Sequence, residues 1–253
     1  MTDLDFTLLT GAVWAVLITA YLVRVARFGK YQSERVLGVG GTALMGEGIM
    51  QATYWAIAPV VRGLVRLGAT PNGVTYTALV LGFGAGAAVA FGWFGLACLL
   101  ATASTISDIL DGQIARLTNT GSDRGELLDA AVDRYTEFAF IAGFVFFVRG
   151  SDVQLAIALG AILASFMISY ASAKAEALQV ATPRGLMRRH ERATYLILSA
   201  GLTPLLGPTI HAQWPTLPVT TPFLAGLAIV AVIGNFAAVQ RFVRISRGLA
   251  RPA

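Results

Sequence analysis

The sequence predicts an all-α integral membrane protein with seven spans. Three observations predict it. Of the 253 residues, 56% are hydrophobic and only 13% charged, and a mean hydropathy of +0.68 is too apolar for an ordinary soluble domain. The apolar residues fall in runs near twenty residues long, such as 6–23 and 223–239, enough for a helix to cross a hydrocarbon core of about 30 Å. The basic residues gather in alternate connections, the pattern of cytoplasmic loops.

Each element follows in order. The run at 6–25 is preceded by Asp3 and Asp5, not by the basic start of a signal peptide, so it reads as a retained helix. Residues 45–67 mix apolar and basic positions around Pro59, which suits an amphipathic helix lying along the interface. Six further spans are expected at 72–91, 94–117, 126–148, 153–176, 193–212 and 221–243. With the N-terminus outside, Arg24, Arg27, Lys30, Arg35, Arg62 and Arg66 fall on the cytoplasmic side. Arg116, Arg124, the group from Lys174 to Arg192 and the tail from Arg241 to Arg251 join them, and Arg149 alone lands at an outer end. Anionic headgroups therefore explain the pI near 9.7 without nucleic acid. The single cysteine, Cys98, excludes a disulfide framework or a cysteine metal site within one chain.

Acids are concentrated where the chain should have fewest. Asp108 and Asp111 are three apart near the cytoplasmic end of one helix, and Asp129 and Asp133 are four apart near the start of the next. Each pair shares a helix face, and the short turn 118–123 lets the helical hairpin bring both faces together. Left unpaired, each carboxylate would cost roughly 2.5–3.5 kcal/mol at mid-bilayer, less near the interface. Divalent metal is the natural counter-charge, since hard oxygen donors suit Mg²⁺, Mn²⁺ or Ca²⁺. Three or four acids suit two ions clamping a diphosphate. Gly112 lies on the face of Asp108 and Arg116, where a missing side chain lets a substrate approach the backbone, and Gly125 opens the second helix in the same way. Arg116 is expected on a phosphate oxygen. Asp123 and Glu126 read as solvated acids at a helix start.

Three classes fit these residues. A phosphotransferase acting on a membrane diphosphate uses all of them. A membrane prenyltransferase also brings aspartate pairs to a diphosphate, but from two separated hairpins, whereas here all four lie within 108–133. A divalent-cation transporter would need acids near the midplane, not at helix ends.

The pattern D-x2-D-G-x2-A-R-x8-G-x3-D-x3-D is met by Asp108, Asp111, Gly112, Ala115, Arg116, Gly125, Asp129 and Asp133. It resembles the signature of the CDP-alcohol phosphotransferases (CDP-alcohol phosphatidyltransferases), membrane enzymes that build phospholipid headgroups. "TPNGVT" at 70–75 resembles the entry to that family's first core helix. The resemblance implies a six-span catalytic domain with its interfacial helix at 45–253, and an added N-terminal helix and linker at 1–44. It implies two Mg²⁺ or Mn²⁺ ions held by Asp108, Asp111 and Asp129 against CDP-diacylglycerol. Asp133 would act mainly as general base and touch a metal. Cytidine would lie along Gly112, Ala115 and Gly125, the lipid tails would lie between helices, and CMP would leave. A homodimer in the cell inner (plasma) membrane, with its site facing the cytoplasm, is also implied.

The acceptor is sought in residues 168–193, which resemble a segment of bacterial phosphatidylinositol-phosphate synthases. Lys174, Ala175 and Glu176 stand for that segment's R-A-E, and Arg189, Glu191 and Arg192 match its second basic stretch. Arg134 follows the last aspartate, as in those enzymes. The resemblance makes Arg134, Lys174, Arg189 and Arg192 the contacts of an acceptor phosphate. Inositol phosphate is the leading acceptor, and glycerol phosphate or another polar alcohol the next. Ser172, Lys174 and His190 depart from the pattern, which has lysine, arginine and proline there.

Overall fold

The computed structural model describes residues 1–29, 31, 46–180 and 185–249. Lys30, Arg35, Arg184, Arg251 and most of the linker toward residue 44 lie outside the described residues. The described residues form eight helices and no strand: α1 (Asp3–Phe28), α2 (Glu47–Arg66), α3 (Pro71–Ala90), α4 (Phe94–Thr118), α5 (Asp123–Phe147), α6 (Asp152–Ala177), α7 (Arg189–Gln213) and α8 (Thr221–Leu249). The expected elements are all present, with ends moved by a few residues.

Local chemistry sets those ends. Asp5 and Thr2 form a reciprocal cap at the start of α1, with Thr2 N–H to Asp5 Oδ2 at 2.6 Å. Thr70 caps α3 through the Gly73 N–H at 3.2 Å, with Pro71 at its first position. Ser122 caps α5 through the Gly125 N–H at 3.2 Å. Asn119 ends α4 in the left-handed region at φ 53°, which Asn tolerates better than most residues.

Six helices, α1, α3, α4, α6, α7 and α8, are long and apolar enough to cross a membrane. α5 is equally long but carries Asp123, Arg124, Glu126, Asp129, Asp133 and Arg134 in its first half and Glu137 just beyond. Packed against α3 and α6, it supplies the seventh span. The chain is a multi-pass membrane protein. α2 is amphipathic: Ile57 and Val61 are buried against Leu110 and Ile114 of α4, while Val60 is exposed.

One expectation is corrected here. α4 and α5 do not close as a simple hairpin; each packs mainly against α3. The reason lies in small residues. A Cβ at Gly82 would strike the Thr136 side chain, one at Gly86 the Ala139 carbonyl, and one at Gly143 the Gly86 carbonyl. α3 and α5 therefore meet backbone to backbone, as membrane helices do where glycine lines the seam. Gly86→Val is expected to abolish the monodisperse folded species in detergent. Unchanged gel-filtration and melting profiles would refute that role.

α6, α7 and α8 form a second group, joined to the first through α4–α7 and α5–α6 contacts. Phe94, Phe140, Phe144 and Phe223 interlock between the groups, with ring centroids 5.2–6.4 Å apart. α1 is fixed at both ends. Asp3 Oδ1 accepts from the Gly95 and Leu96 N–H groups at 2.8 and 3.1 Å, capping α4, and Tyr21 meets Trp55 of α2 at 5.8 Å.

Candidate active site

The last turns of α4 and the first turns of α5 bring acids to one end of the bundle. Asp108, Asp129 and Asp133 each place one carboxylate oxygen within 4.8 Å of the others. Asp129 Oδ1 is buried with no hydrogen-bond donor among the described residues. Asp111 stands beside this trio, 5% exposed, with its Oδ2 accepting from Thr75 Oγ1 at 2.6 Å. Arg189, the first residue of α7, bridges the trio: its Nη1 donates to Asp108 Oδ2 at 2.9 Å, and its Nη2 pairs with Asp133. One guanidinium against three carboxylates leaves net negative charge and only hard oxygen donors. That set fits a divalent cation.

Gly112 and Gly125 each lie beside polar side chains. The Arg116 guanidinium folds back across Gly112, where a Cβ would stand 3.4 Å from both of its terminal nitrogens. Ala115 is half-buried beside it. Gly125 faces Asn72 of α3, whose Oδ1 would be 3.7 Å from an added Cβ. A narrow cleft descends from Asp133 between α3, α4, α5 and α7, lined by Thr136, Glu137, Arg189, Ser104 and Thr105 among others.

The basic residues divide differently from the sequence expectation. Arg134 is half-buried, and its Nη1 is buried with no hydrogen-bond partner among the described residues. Lys174 is exposed at the end of α6. Arg189 is engaged by Asp108 and Asp133, as above. Arg192 is the most enclosed of the four. It is 1% exposed, and its Nε and Nη2 donate to the two oxygens of Glu137 at 2.6 and 2.8 Å. Its Nη1 donates to the Met187 carbonyl at 2.8 Å. A guanidinium held in this way has all three of its nitrogens engaged by groups of the protein.

Three residues that the sequence reading left aside matter here. Thr75 holds Asp111, and Glu137 holds Arg192. Arg241 was counted among the tail cations but is 6% exposed. Its Nη1 donates to Ser172 Oγ at 3.0 Å and its Nη2 to the Leu186 carbonyl at 3.1 Å. Ser172 is the position where a lysine was expected, and its short side chain leaves the space that Arg241 enters from α8. A signal existed for Glu137, an acid inside a span four residues after Asp133. None marked Arg241.

Comparison with known proteins agrees with this geometry. Residues 68–236 match the family profile of CDP-alcohol phosphatidyltransferase. The chain is 32% identical over 191 residues to a phosphatidylinositol phosphate synthase of Mycobacterium tuberculosis, spanning 72% of this chain and 82% of that protein. It is 34% identical over 180 residues to the synthase of Mycobacterium marinum, spanning 68% and 74%. A crystal structure of the Mycobacterium tuberculosis synthase with CDP-DAG bound superposes with a TM-score of 0.65 at 25% identity, covering 77% of this chain and 97% of that one. A second, with manganese and citrate, gives 0.65 at 25%, covering 77% and 92%. The match removes the prenyltransferase and transporter alternatives. The chain belongs to the CDP-alcohol phosphatidyltransferase family and is a membrane transferase.

Proposed function

We propose that the protein moves a phosphatidyl group from CDP-diacylglycerol to a hydroxyl of inositol phosphate, releasing CMP. The observation that carries this is the trio Asp108, Asp129 and Asp133, closed by Arg189 at the head of the cleft. The synthases to which the chain is similar, one crystallised with CDP-DAG and with manganese, support the donor and the metal. Asp108, Asp129 and Asp133, with Asp111 beside them, are the residues that would hold two Mg²⁺ or Mn²⁺ ions. Bound there, the cations would neutralise the diphosphate and the leaving phosphate.

The chain's own residues do the rest. Asp133 takes the proton of the acceptor hydroxyl. The hydroxyl oxygen bonds to the β-phosphorus, the bond from that phosphorus to the bridging oxygen breaks, and CMP departs. Arg189 holds Asp133 in place. Gly112, Ala115 and Gly125 leave room for cytidine, and Arg116 would contact a phosphate oxygen. Arg134 and Lys174 form the cationic side that receives the acceptor phosphate. The unpartnered Nη1 of Arg134 is the strongest support for that assignment. The catalytic unit is residues 45–253, working as a homodimer in the inner membrane with its site toward the cytoplasm, where the cations of Arg24, Arg62 and Arg66 also lie.

The test is CMP release by the purified protein with CDP-diacylglycerol and Mg²⁺, adding inositol phosphate, glycerol phosphate, serine or inositol in turn. Inositol phosphate is expected to support the fastest release. Arg134→Ala is expected to raise the acceptor KM roughly 10–100-fold, with the donor KM nearly unchanged. Release that no acceptor stimulates would end this reading.

A further inference from the structure

Two buried arginines meet at the turn that leads into α7. Arg192 donates from Nη1 to the Met187 carbonyl at 2.8 Å, and Arg241 donates from Nη2 to the neighbouring Leu186 carbonyl at 3.1 Å. Arg241 also donates from Nη1 to Ser172 Oγ of α6 at 3.0 Å, so one guanidinium spans α6 and the turn. A Cβ on Gly185 would stand 3.4 Å from its Nε, which puts the turn backbone against the guanidinium. The carbonyls on both sides of Met187 are thus held. Met187 itself lies at φ 59°, with its side chain packed on Ile168, Ala237 and Ala238. Two residues further on comes Arg189, whose guanidinium lies on Asp108 and Asp133.

These ties lead to different places. Glu191, which accepts from the Arg188 N–H at 3.0 Å, belongs to α7 and moves with it. Arg192 ties the helix to Glu137 of α5, whereas Arg241 ties the turn to α6 and α8. Arg241 is 6% exposed, and its two bonds go to a hydroxyl and a carbonyl. Burying a cation on neutral acceptors is costly, and an uncharged side chain would be enough to fill the space. A planar fork with donors at fixed angles does something more: it sets the distance between a helix and a backbone turn. Arg241 also lies beyond the family match, which ends at residue 236. We propose that Arg241 is a positioning residue, which fixes the turn at 185–188 and through it places Arg189 against Asp108 and Asp133. The inference rests on the phosphatidyl-transfer reading for what Arg189 does there. A guanidinium 2.9 Å from Asp108 takes up negative charge that a divalent cation would otherwise meet. Its placement therefore sets both how strongly the trio holds a cation and how Asp133 is aimed.

The full-length protein in phosphatidylcholine nanodiscs is titrated with Mn²⁺ alone, free Mn²⁺ being read by electron paramagnetic resonance. CMP release is measured separately. The variants are Arg189→Gln, Arg241→Met and the two combined, each checked by thermal unfolding. Arg189→Gln takes a positive charge from the trio and is expected to tighten Mn²⁺ binding about tenfold. Arg241→Met is expected to tighten it about threefold and to lower kcat about tenfold, with both KM values nearly unchanged. The combined variant is expected to match Arg189→Gln in both readouts, because Arg241 acts through Arg189. A merely structural role would lower the melting temperature of Arg241→Met and leave its Mn²⁺ affinity at the wild-type value, and that result overturns the proposal. So does a kcat for the combined variant well below that of Arg189→Gln. If Arg241→Met does not fold, Ser172→Ala, which removes one of the two anchors, carries the same expectation and the same overturning result. The titration needs no turnover. If no acceptor stimulates CMP release, the transfer reading fails and Mn²⁺ binding still decides the place of Arg241, whereas a wild type that binds no Mn²⁺ ends both.

Discussion

Asp133→Asn is expected to lower CMP release by roughly 10²–10⁴-fold, the usual contribution of a positioned general base. The substitution keeps the shape of a side chain that is 7% exposed and faces Arg189, so the fold should survive. Affinity for CDP-diacylglycerol, measured by displacement of a labelled donor, should change little, because the other three aspartates remain. That split separates proton transfer from donor binding. A variant that turns over at the wild-type rate would remove Asp133 from the chemistry. A variant that loses donor affinity as fully as activity would make holding the cations, not proton transfer, its main task.

The second large effect is on stability. Arg192→Ala removes the two-point partner of Glu137, whose side chain is 11% exposed while that of Arg192 is 1% exposed. Breaking a buried pair from one side typically costs about 3–5 kcal/mol, because the remaining charge is uncompensated. Thermal unfolding in detergent should therefore move down by many degrees. The double variant Arg192→Met, Glu137→Leu should recover most of the loss, since it removes both charges together. The Met187 carbonyl adds to the expected cost. Met187 is 3% exposed and sits at φ 59°, an unfavourable region for a side chain of its size, held there in part by Arg192. If Arg192→Ala instead melted normally and only its acceptor KM rose, Arg192 would be a ligand contact.

These two residues also show what the sequence could reveal. Asp133 was legible because four acids at helical spacing in an apolar chain have few uses, and their register with Gly112 and Gly125 is tight. The spans were legible for the same reason: long apolar runs in a membrane have one regular solution. Arg192 was not, because a basic residue at a cytoplasmic helix end has the same appearance whether it meets phosphate, headgroup or a buried glutamate. Only the approach of α5 to α7 picks Glu137 as its partner. The arrangement of α3 between α4 and α5 was hidden in a different way. Short connections suggested that neighbours in sequence pack together, but the glycines of α3 and α5 let non-neighbours come closer than any pair with side chains could. Arg241 lies more than a hundred residues from Asp133, and nothing local ties it to Ser172.

The glycine seam has a consequence for genetics. Every amino-acid replacement at Gly82, Gly86 and Gly143 adds a Cβ, and at all three that atom collides. A saturation scan scored on growth would then show a band of intolerance along α3 and α5 as deep as that at the aspartates. Read without coordinates, such a band would be mistaken for a second catalytic centre. Protein abundance measured on the same library separates them: variants at the seam should vanish from the membrane, whereas Asp133→Asn should accumulate there without making product.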